Sequence, residues 1–412
     1  MIIKREIFDK LLSQLNRPQI SIIIGARQVG KSTILKEIQK KIKIPSIFLN
    51  FENPLHLRIL REGYNSFIRE IGKEKKVVFI DEFHYYKNIT AVFKAVYDLN
   101  PQIKIYATGS SSMEIHTHLK ESLAGRKLET HLYPFSFSEW LITKNIALPD
   151  LATPFKIIIH EKLKGYIKEF LKYGAMPGLI HFNTDIEKRE YLESIYSTYI
   201  AKDIKTFLKE ERIIDFNKLI ELIILLNAKL LNENVLSKES KLSVRQVRKY
   251  IDILKETFVI FLLKPLFTNK KKEIIKTSKV YFYDTGISNM MQRNFAEIDI
   301  RMDKGEILEQ FVFLELLKSV DIRYNLNYWR TTDKYEVDFI LSKDGELLPI
   351  EVKTRWDTER IPSGLRKFFE YYPDVTKAVI LQIDEKREFK YKDKTIFLFP
   401  IYYASRLKDL ID

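Results

Sequence analysis

The 412-residue sequence contains no cysteine. Disulfide frameworks, thiolate metal sites and cysteine nucleophiles are thereby excluded together. Histidine is scarce as well: seven are scattered along the chain, with no pair at metal-binding spacing on a helix. No apolar run approaches the roughly 18 to 20 residues needed to span a bilayer. The opening stretch, Met1 to Glu6, lacks a signal peptide's long apolar segment, so the chain is expected in the cytoplasm and away from membranes. Internal repeats and low-complexity tracts are also lacking.

What is present is a soluble globular composition, 45% hydrophobic and 30% charged, with enough apolar surface to bury a core in each of several domains. The length favours two or three of them. A formal net charge of +14 suits polyanion binding, because neutralising phosphates releases condensed counterions. Lysine and isoleucine are abundant throughout, so the same charge is also consistent with a genomic or thermophilic bias.

Between Ile20 and Leu132 short apolar runs alternate with longer mixed segments: Ile20 to Ile24, a run ending at Phe51, one ending at Asp81, and one ending at Ser110. That is the pattern of a parallel sheet with intervening helices. From Tyr133 to Phe216 helical periodicity takes over, with Phe135, Phe137, Trp140, Tyr166, Phe170, Tyr191, Tyr196 and Tyr199 read as a helix-packing core in preference to a base-stacking face. A helix, a turn at Lys241 to Ser243, a second helix capped by Ser243, and strands at Phe258 to Lys264 and Lys279 to Tyr283 predict a winged helix-turn-helix. After Gly305 come a helix, three short strands, a helix, and strands at Ala378 to Ile383 and Ile396 to Tyr402. With a phosphate-loop pattern, Gly25 to Ser32, directly after its first apolar run, the chain is expected to comprise an α/β P-loop NTPase core with a parallel sheet (1–135), a helical lid or connector (136–215), a winged helix (216–290) and a C-terminal α/β domain (300–412).

Gly25, Ala26, Arg27, Gln28, Val29, Gly30, Lys31 and Ser32 fit the phosphate-loop pattern, with an apolar strand before them and a helix from Thr33 after. The glycines let the backbone curl so that N–H groups face a β-phosphate, and the helix N-terminus adds partial positive charge. Lys31 is placed to neutralise phosphate oxygens and Ser32 to ligate magnesium, so ATP and Mg2+ are the expected cofactors. The run ending at Asp81-Glu82 supplies an acid for the magnesium shell and a carboxylate to polarise water. Where the next run ends, a hydroxyl such as Ser110 is suited to sensing the γ-phosphate or to capping a strand-to-helix turn.

With the runs Gly25 to Thr33, Phe79 to Glu82, Thr108 to Ser112, Leu123 to Arg126, Tyr133 to Glu139, Tyr199 to Ile204 and Lys279 to Gly286, the sequence resembles the AAA+ class of ATPases. In particular it resembles archaeal and bacterial members that carry a C-terminal domain of unknown function with a nuclease-like core. The resemblance implies an arginine that reaches the nucleotide phosphates in a closed state, and Arg126 is the matching residue.

Glu336 to Ile340 and Leu347 to Lys353 read as adjoining strands joined by a glycine-containing turn. Residues two apart share a face, so Glu351 and Lys353 project together and Asp338 can meet them. This resembles the core of restriction-endonuclease-like nucleases, where two carboxylates hold magnesium and a lysine stabilises charge. Glu309, on the preceding helix, matches the extra acid often found in that fold. A buried ion-pair network in an inactive relative is the alternative. The functional expectation is an ATP-hydrolysing AAA+-type protein that binds DNA through Arg245, Arg248 and Lys249, with a metal-dependent nuclease domain and with homo-oligomers possible. The alternative is a nucleotide-controlled switch that docks protein partners.

Overall fold

The computed structural model describes residues 3–109, 123–199, 213–266, 277–356, 358 and 360–411. The apolar runs near the N-terminus form a five-stranded sheet: β1 (Ile20–Ile24), β2 (Ser46–Asn50), β3 (Lys76–Asp81), β4 (Ile103–Gly109) and β5 (Lys127–His131), in the order β2-β3-β4-β1-β5. Every neighbouring pair is parallel. β1 and β4 are buried at every position, as strands covered by helices on both faces must be. The covering helices are α1 (Phe8–Ser13), α2 (Lys31–Lys41), α3 (Pro54–Leu57), α4 (Tyr64–Ile71) and α5 (Ile89–Leu99). Four strands are predicted from apolar runs; β5 is additional, a polar edge strand with a single buried position, too hydrophilic to register as one.

The next segment contains α6 (Phe137–Ile142), α7 (Ile157–Tyr173) and α8 (Asp185–Tyr199). A capping box between Ser136 and Glu139 starts α6. Phe137 and Phe170 are packing residues, as expected: Phe137 meets Phe170 at 5.4 Å and Phe311 at 6.0 Å between ring centroids, while the Tyr199 side chain lies outside the described residues. Phe311 belongs to the C-terminal part of the chain, so α6 and α7 share one apolar core with it. They are not an independent lid core.

A third core is built from α9 (Ile213–Ile224), α10 (Glu233–Ser240), α11 (Val244–Glu256) and an antiparallel pair, β6 (Ile260–Leu263) with β7 (Lys279–Phe282). Ser243 caps α11 as predicted, in a reciprocal arrangement with Gln246. Along β7 the period of two is plain. Val280 and Phe282 face the helices of this core, while Tyr281 faces the core shared with the C-terminal sheet.

After α12 (Thr285–Gln292) come α13 (Lys304–Ser319), β8 (Tyr324–Arg330), β9 (Glu336–Lys343), β10 (Glu346–Val352), α14 (Ser363–Tyr371), β11 (Lys377–Gln382), β12 (Arg387–Tyr391) and β13 (Lys394–Pro400). The sheet order is β12-β13-β11-β10-β9-β8. β8, β9 and β10 form an antiparallel meander, and β11 adds parallel to β10. The tight turn between β9 and β10 needs left-handed backbone, supplied by Asp344 (φ 49°) and Gly345 (φ 94°). Of these strands β12 is the one sequence periodicity does not mark.

Candidate nucleotide site and C-terminal carboxylate pocket

The loop between β1 and α2 wraps a cavity of about 810 Å³ that is lined by Gln28 to Thr33 and Glu82. Its conformation explains its glycines. Gly30 has φ 95°, and a Cβ on Gly25 would come within 2.2 Å of the Leu132 carbonyl oxygen. Helix α2 begins at Lys31, two residues earlier than expected, so Lys31, Ser32 and Thr33 form its first turn, where backbone N–H groups have no helical acceptor. Lys31 is only 4% exposed, and its ammonium donates to the carbonyls of Gly25 (2.9 Å) and Ala26 (2.8 Å).

β4 lies between the phosphate-loop strand β1 and the acid strand β3, and this placement brings a hydroxyl to the acids. Thr108 Oγ1 donates to Asp81 Oδ1 and accepts the amide of Glu82 at 3.2 Å. Glu82 itself is left-handed (φ 54°), a conformation that costs a non-glycine residue about 1 to 3 kcal/mol and persists where surroundings impose it. Its carboxylate lies 3.1 Å from His84 Nδ1. Ser110 lies outside the described residues; among those described, Thr108 is the hydroxyl that reaches Asp81.

Arg5, which sequence patterning gives no reason to select, forms one wall of the same cavity. Its guanidinium donates to the Val29 carbonyl (2.8 Å) in the phosphate loop, to the Tyr133 carbonyl (2.6 Å), and to Glu139 (3.0 Å). Glu139 also accepts the amides of Glu6 and Ser136. The chain of contacts continues into α13: Glu315 accepts the Phe137 amide at 3.0 Å, and Lys318 donates to the Phe135 carbonyl at 2.8 Å. Burial raises the pKa of Glu315. The phosphate loop is thus tied, through Arg5 and the segment Tyr133 to Glu139, to the C-terminal part of the molecule.

Arg126 stands beside β5 at the end of the sheet opposite the phosphate loop, its carbonyl accepting the amide of Ile20 at the start of β1. Its side chain forms a two-pronged pair with Asp98, at 2.9 and 3.2 Å. Arg245, Arg248 and Lys249 are all exposed on α11. Arg248 pairs with Glu233 at 2.5 Å.

In the C-terminal part the expected acids do come together. Asp338 Oδ2 accepts the Val352 amide (2.8 Å), and Lys353 donates to Glu351 Oε1 (2.6 Å). Glu309, the third expected acid, belongs to the group, as do one further acid, Glu336, and a cation. The ammonium of Lys279, from β7, lies 2.8 Å from Glu309, 2.6 Å from Glu336 and 3.7 Å from Asp338. Tyr281 Oη donates to Glu309 at 2.6 Å, and Arg330 pairs with Glu336 at 2.5 Å. Burial, reinforced by the Asp338 charge, pushes Glu351 up to about 8. Burial likewise raises Glu309 to about 7, in spite of Lys279. Burial opposes the charge on Lys279, but Glu309, Asp338 and Glu336 outweigh it and hold its pKa above the ordinary lysine value. Sequence reading misses Lys279 and Glu336; the available signal is a lysine opening an otherwise apolar strand, Lys279 to Phe282. Among the described residues no group of three or more His, Asp or Glu side chains is disposed to hold a metal ion.

A parallel sheet in this order, with a glycine-walled loop at the end of β1 and an acid at the end of β3, is a P-loop fold in the N-terminal part of the chain. The family model described as an AAA domain matches residues 17–141. A domain of unknown function, DUF8612, matches residues 164–298, and another, DUF4143, matches 304–403. The chain therefore joins an AAA-type P-loop domain to a C-terminal DUF4143 domain. It is similar to an uncharacterized protein of Methanocaldococcus jannaschii, 27% identical over 85% of this chain and 77% of the relative. An uncharacterized protein of Haemophilus influenzae is 26% identical over 85% and 86% of the two chains. Among solved structures, the RuvB Holliday junction branch migration motor of Thermotoga maritima matches at a TM-score of 0.29 and 16% identity, covering 65% of this chain and 93% of that one. Drosophila ORC bound to AT-rich DNA and Cdc6 matches at a TM-score of 0.24 and 11% identity, over 70% and 89%. The nucleotide site, and not these structural likenesses, carries the functional reading.

Proposed function

We propose that the protein binds and hydrolyses ATP with magnesium; the observation that carries this is that Lys31 and Glu82 line one cavity at a glycine-walled loop, with the Thr108 hydroxyl joining the Glu82 amide to Asp81. The residues fit the group: the loop's curvature forbids side chains at Gly25, and Ser32 and Asp81 are oxygen donors of the kind magnesium prefers. In this reading Lys31 exchanges the carbonyls of Gly25 and Ala26 for phosphate oxygens. Ser32 and Asp81 hold the ion, which when bound supplies charge neutralisation on the phosphates. Glu82 orients and polarises the attacking water, while Thr108 fixes the acid and the peptide that carry it. Arg126, at the far end of the sheet, acts on the phosphates only across a boundary with a second copy, which makes a homo-oligomer part of the proposal. The test is nucleotide binding by Lys31→Ala, which is expected to lose it; retention of full affinity would remove the site assignment.

DNA is the proposed partner of α11, where Arg245, Arg248 and Lys249 are exposed together on a chain of net charge +14. The unit at 216–290 then reads as a winged helix, beside an ATPase core at 1–135, a connector at 136–215 and the domain at 300–412. The last is read as restriction-endonuclease-like from its order of helix, antiparallel meander, helix and parallel strand, with Asp338, Glu351 and Lys353 grouped in it. The residues as arranged do not fit a divalent metal, because Lys279 stands among them. That favours the second reading for this domain, a docking role within a nucleotide-controlled switch. No helix among the described residues is long and apolar enough to cross a membrane.

A further inference from the structure

The carboxylates of Glu309, Glu336 and Asp338 surround a single ammonium, at 2.8, 2.6 and 3.7 Å, and that ammonium comes from another unit of the fold. Lys279 is only 3% exposed at its side chain. Its strand is held from both sides: Val280 and Phe282 pack on α9 to α11, and Tyr281 stacks on Phe313 of α13 at 4.2 Å. The backbone that carries the ammonium is therefore fixed by packing on both faces of the strand. A second observation is an unpartnered, buried polar side chain beside this group of acids. Glu351 is 5% exposed, its Oε1 is taken by Lys353, and its Oε2 is buried with no hydrogen-bond partner among the described residues. A buried carboxylate oxygen ordinarily has a partner, and oxygen ligands grouped this way are the donor set of a hard divalent ion.

We propose that Lys279 is the resident cation of this pocket, and that its ammonium excludes a divalent metal from the carboxylates of Glu309, Glu336 and Asp338. The ammonium lies closest to Glu309 and Glu336 and reaches Asp338 at 3.7 Å. With the ammonium removed, Glu309, Glu336 and Asp338 are the carboxylates that would hold a divalent ion at the same place. The nuclease-like reading supplies only the kind of cation expected; binding is measured here without DNA, so a failure to cleave leaves the inference standing.

The experiment is Mn2+ binding to the full chain without nucleotide, followed by the paramagnetic resonance of free and bound ion. Wild type is expected to bind no Mn2+ in this pocket. Lys279→Ala is expected to gain one site, at least tenfold tighter than any wild-type binding, and Lys279→Ala with Asp338→Asn to lose it. A wild-type Mn2+ site abolished by Asp338→Asn, or a folded Lys279→Ala without a gained site, overturns the proposal. If Lys279→Ala unfolds in metal-free buffer, its melting temperature is expected to rise with Mn2+ concentration. No restoration by Mn2+ is equally an overturning result.

Discussion

Arg5 and Glu139, separated by 134 residues of sequence, form a buried pair at 3.0 Å that fixes one wall of the nucleotide cavity. Arg5 also holds the Val29 carbonyl, so one guanidinium binds the phosphate loop to the start of α6. Removing it strands a buried carboxylate, and breaking such a pair typically costs about 3 to 5 kcal/mol. Arg5→Ala is therefore expected to lower the melting temperature markedly and to weaken ATP binding. Arg5→Lys keeps the charge but not the fork of donors, and is expected to fall between. Thermal melts with ATP titrations check both; an unchanged melt for Arg5→Ala would contradict the coupling.

Thr108 touches both acids and lies outside the phosphate loop. Thr108→Val keeps the shape and removes the hydroxyl. Turnover is expected to fall roughly 10- to 100-fold, about 1.4 to 2.8 kcal/mol of barrier, with ATP affinity within about threefold, since binding rests on the loop. Thr108→Ser is expected to recover most of the rate. Loss of affinity in proportion to turnover would show that Thr108 merely supports the fold.

The raised pKa of Glu351, about 8, gives a signed dependence of stability on pH. A group whose folded pKa exceeds its unfolded value contributes stability that is complete below the unfolded pKa and is lost as pH rises through the folded one. For Glu351 that window runs from about 4.5 to about 8. Glu351→Gln is neutral throughout and is expected to flatten the decline, melting several degrees above wild type at the alkaline end relative to the acid end. Melting curves across the window decide it, and parallel pH profiles for the two proteins would count against the burial argument.

If α11 grips phosphates, each lysine or arginine that does so contributes about 0.9 to the slope of log affinity against log salt. Replacing Arg245, Arg248 and Lys249 by alanine is expected to weaken duplex binding and to lower that slope by about 2 to 3. Arg248 already pairs with Glu233, so its share is expected to be the smallest. Fluorescence anisotropy over a salt series gives the slopes; identical slopes would place the contact elsewhere.

How far these features are legible in sequence depends on whether they are local. The phosphate loop is written in consecutive residues, Gly25 to Ser32, and the acids Asp81 and Glu82 end an apolar run, so both are readable. Ser243 as a helix cap and Asp338, Glu351 and Lys353 as neighbours follow from periods of 3.6 and 2. Arg5, Lys279 and Glu336 are not readable this way, because each gains its meaning from a partner distant in sequence or from burial that patterning assigns to apolar residues. Thr108 needed the strand order, since a hydroxyl reaches Asp81 only if β4 lies beside β3. The shared core of α6, α7 and α13 was hidden for the same reason: periodicity marks an apolar face, not what covers it.

The account's central claim is that Glu82 polarises water for an ATP held by Lys31, and a comparison of wild type with Glu82→Gln tests it most directly. The purified 412-residue chain with Mg2+-ATP is assayed for phosphate release, and the bound nucleotide is then identified. Wild type is expected to release phosphate and to retain ADP, whereas Glu82→Gln binds with near wild-type affinity, turns over at least 100-fold more slowly and retains intact ATP. Equal phosphate release by the two proteins would contradict the account.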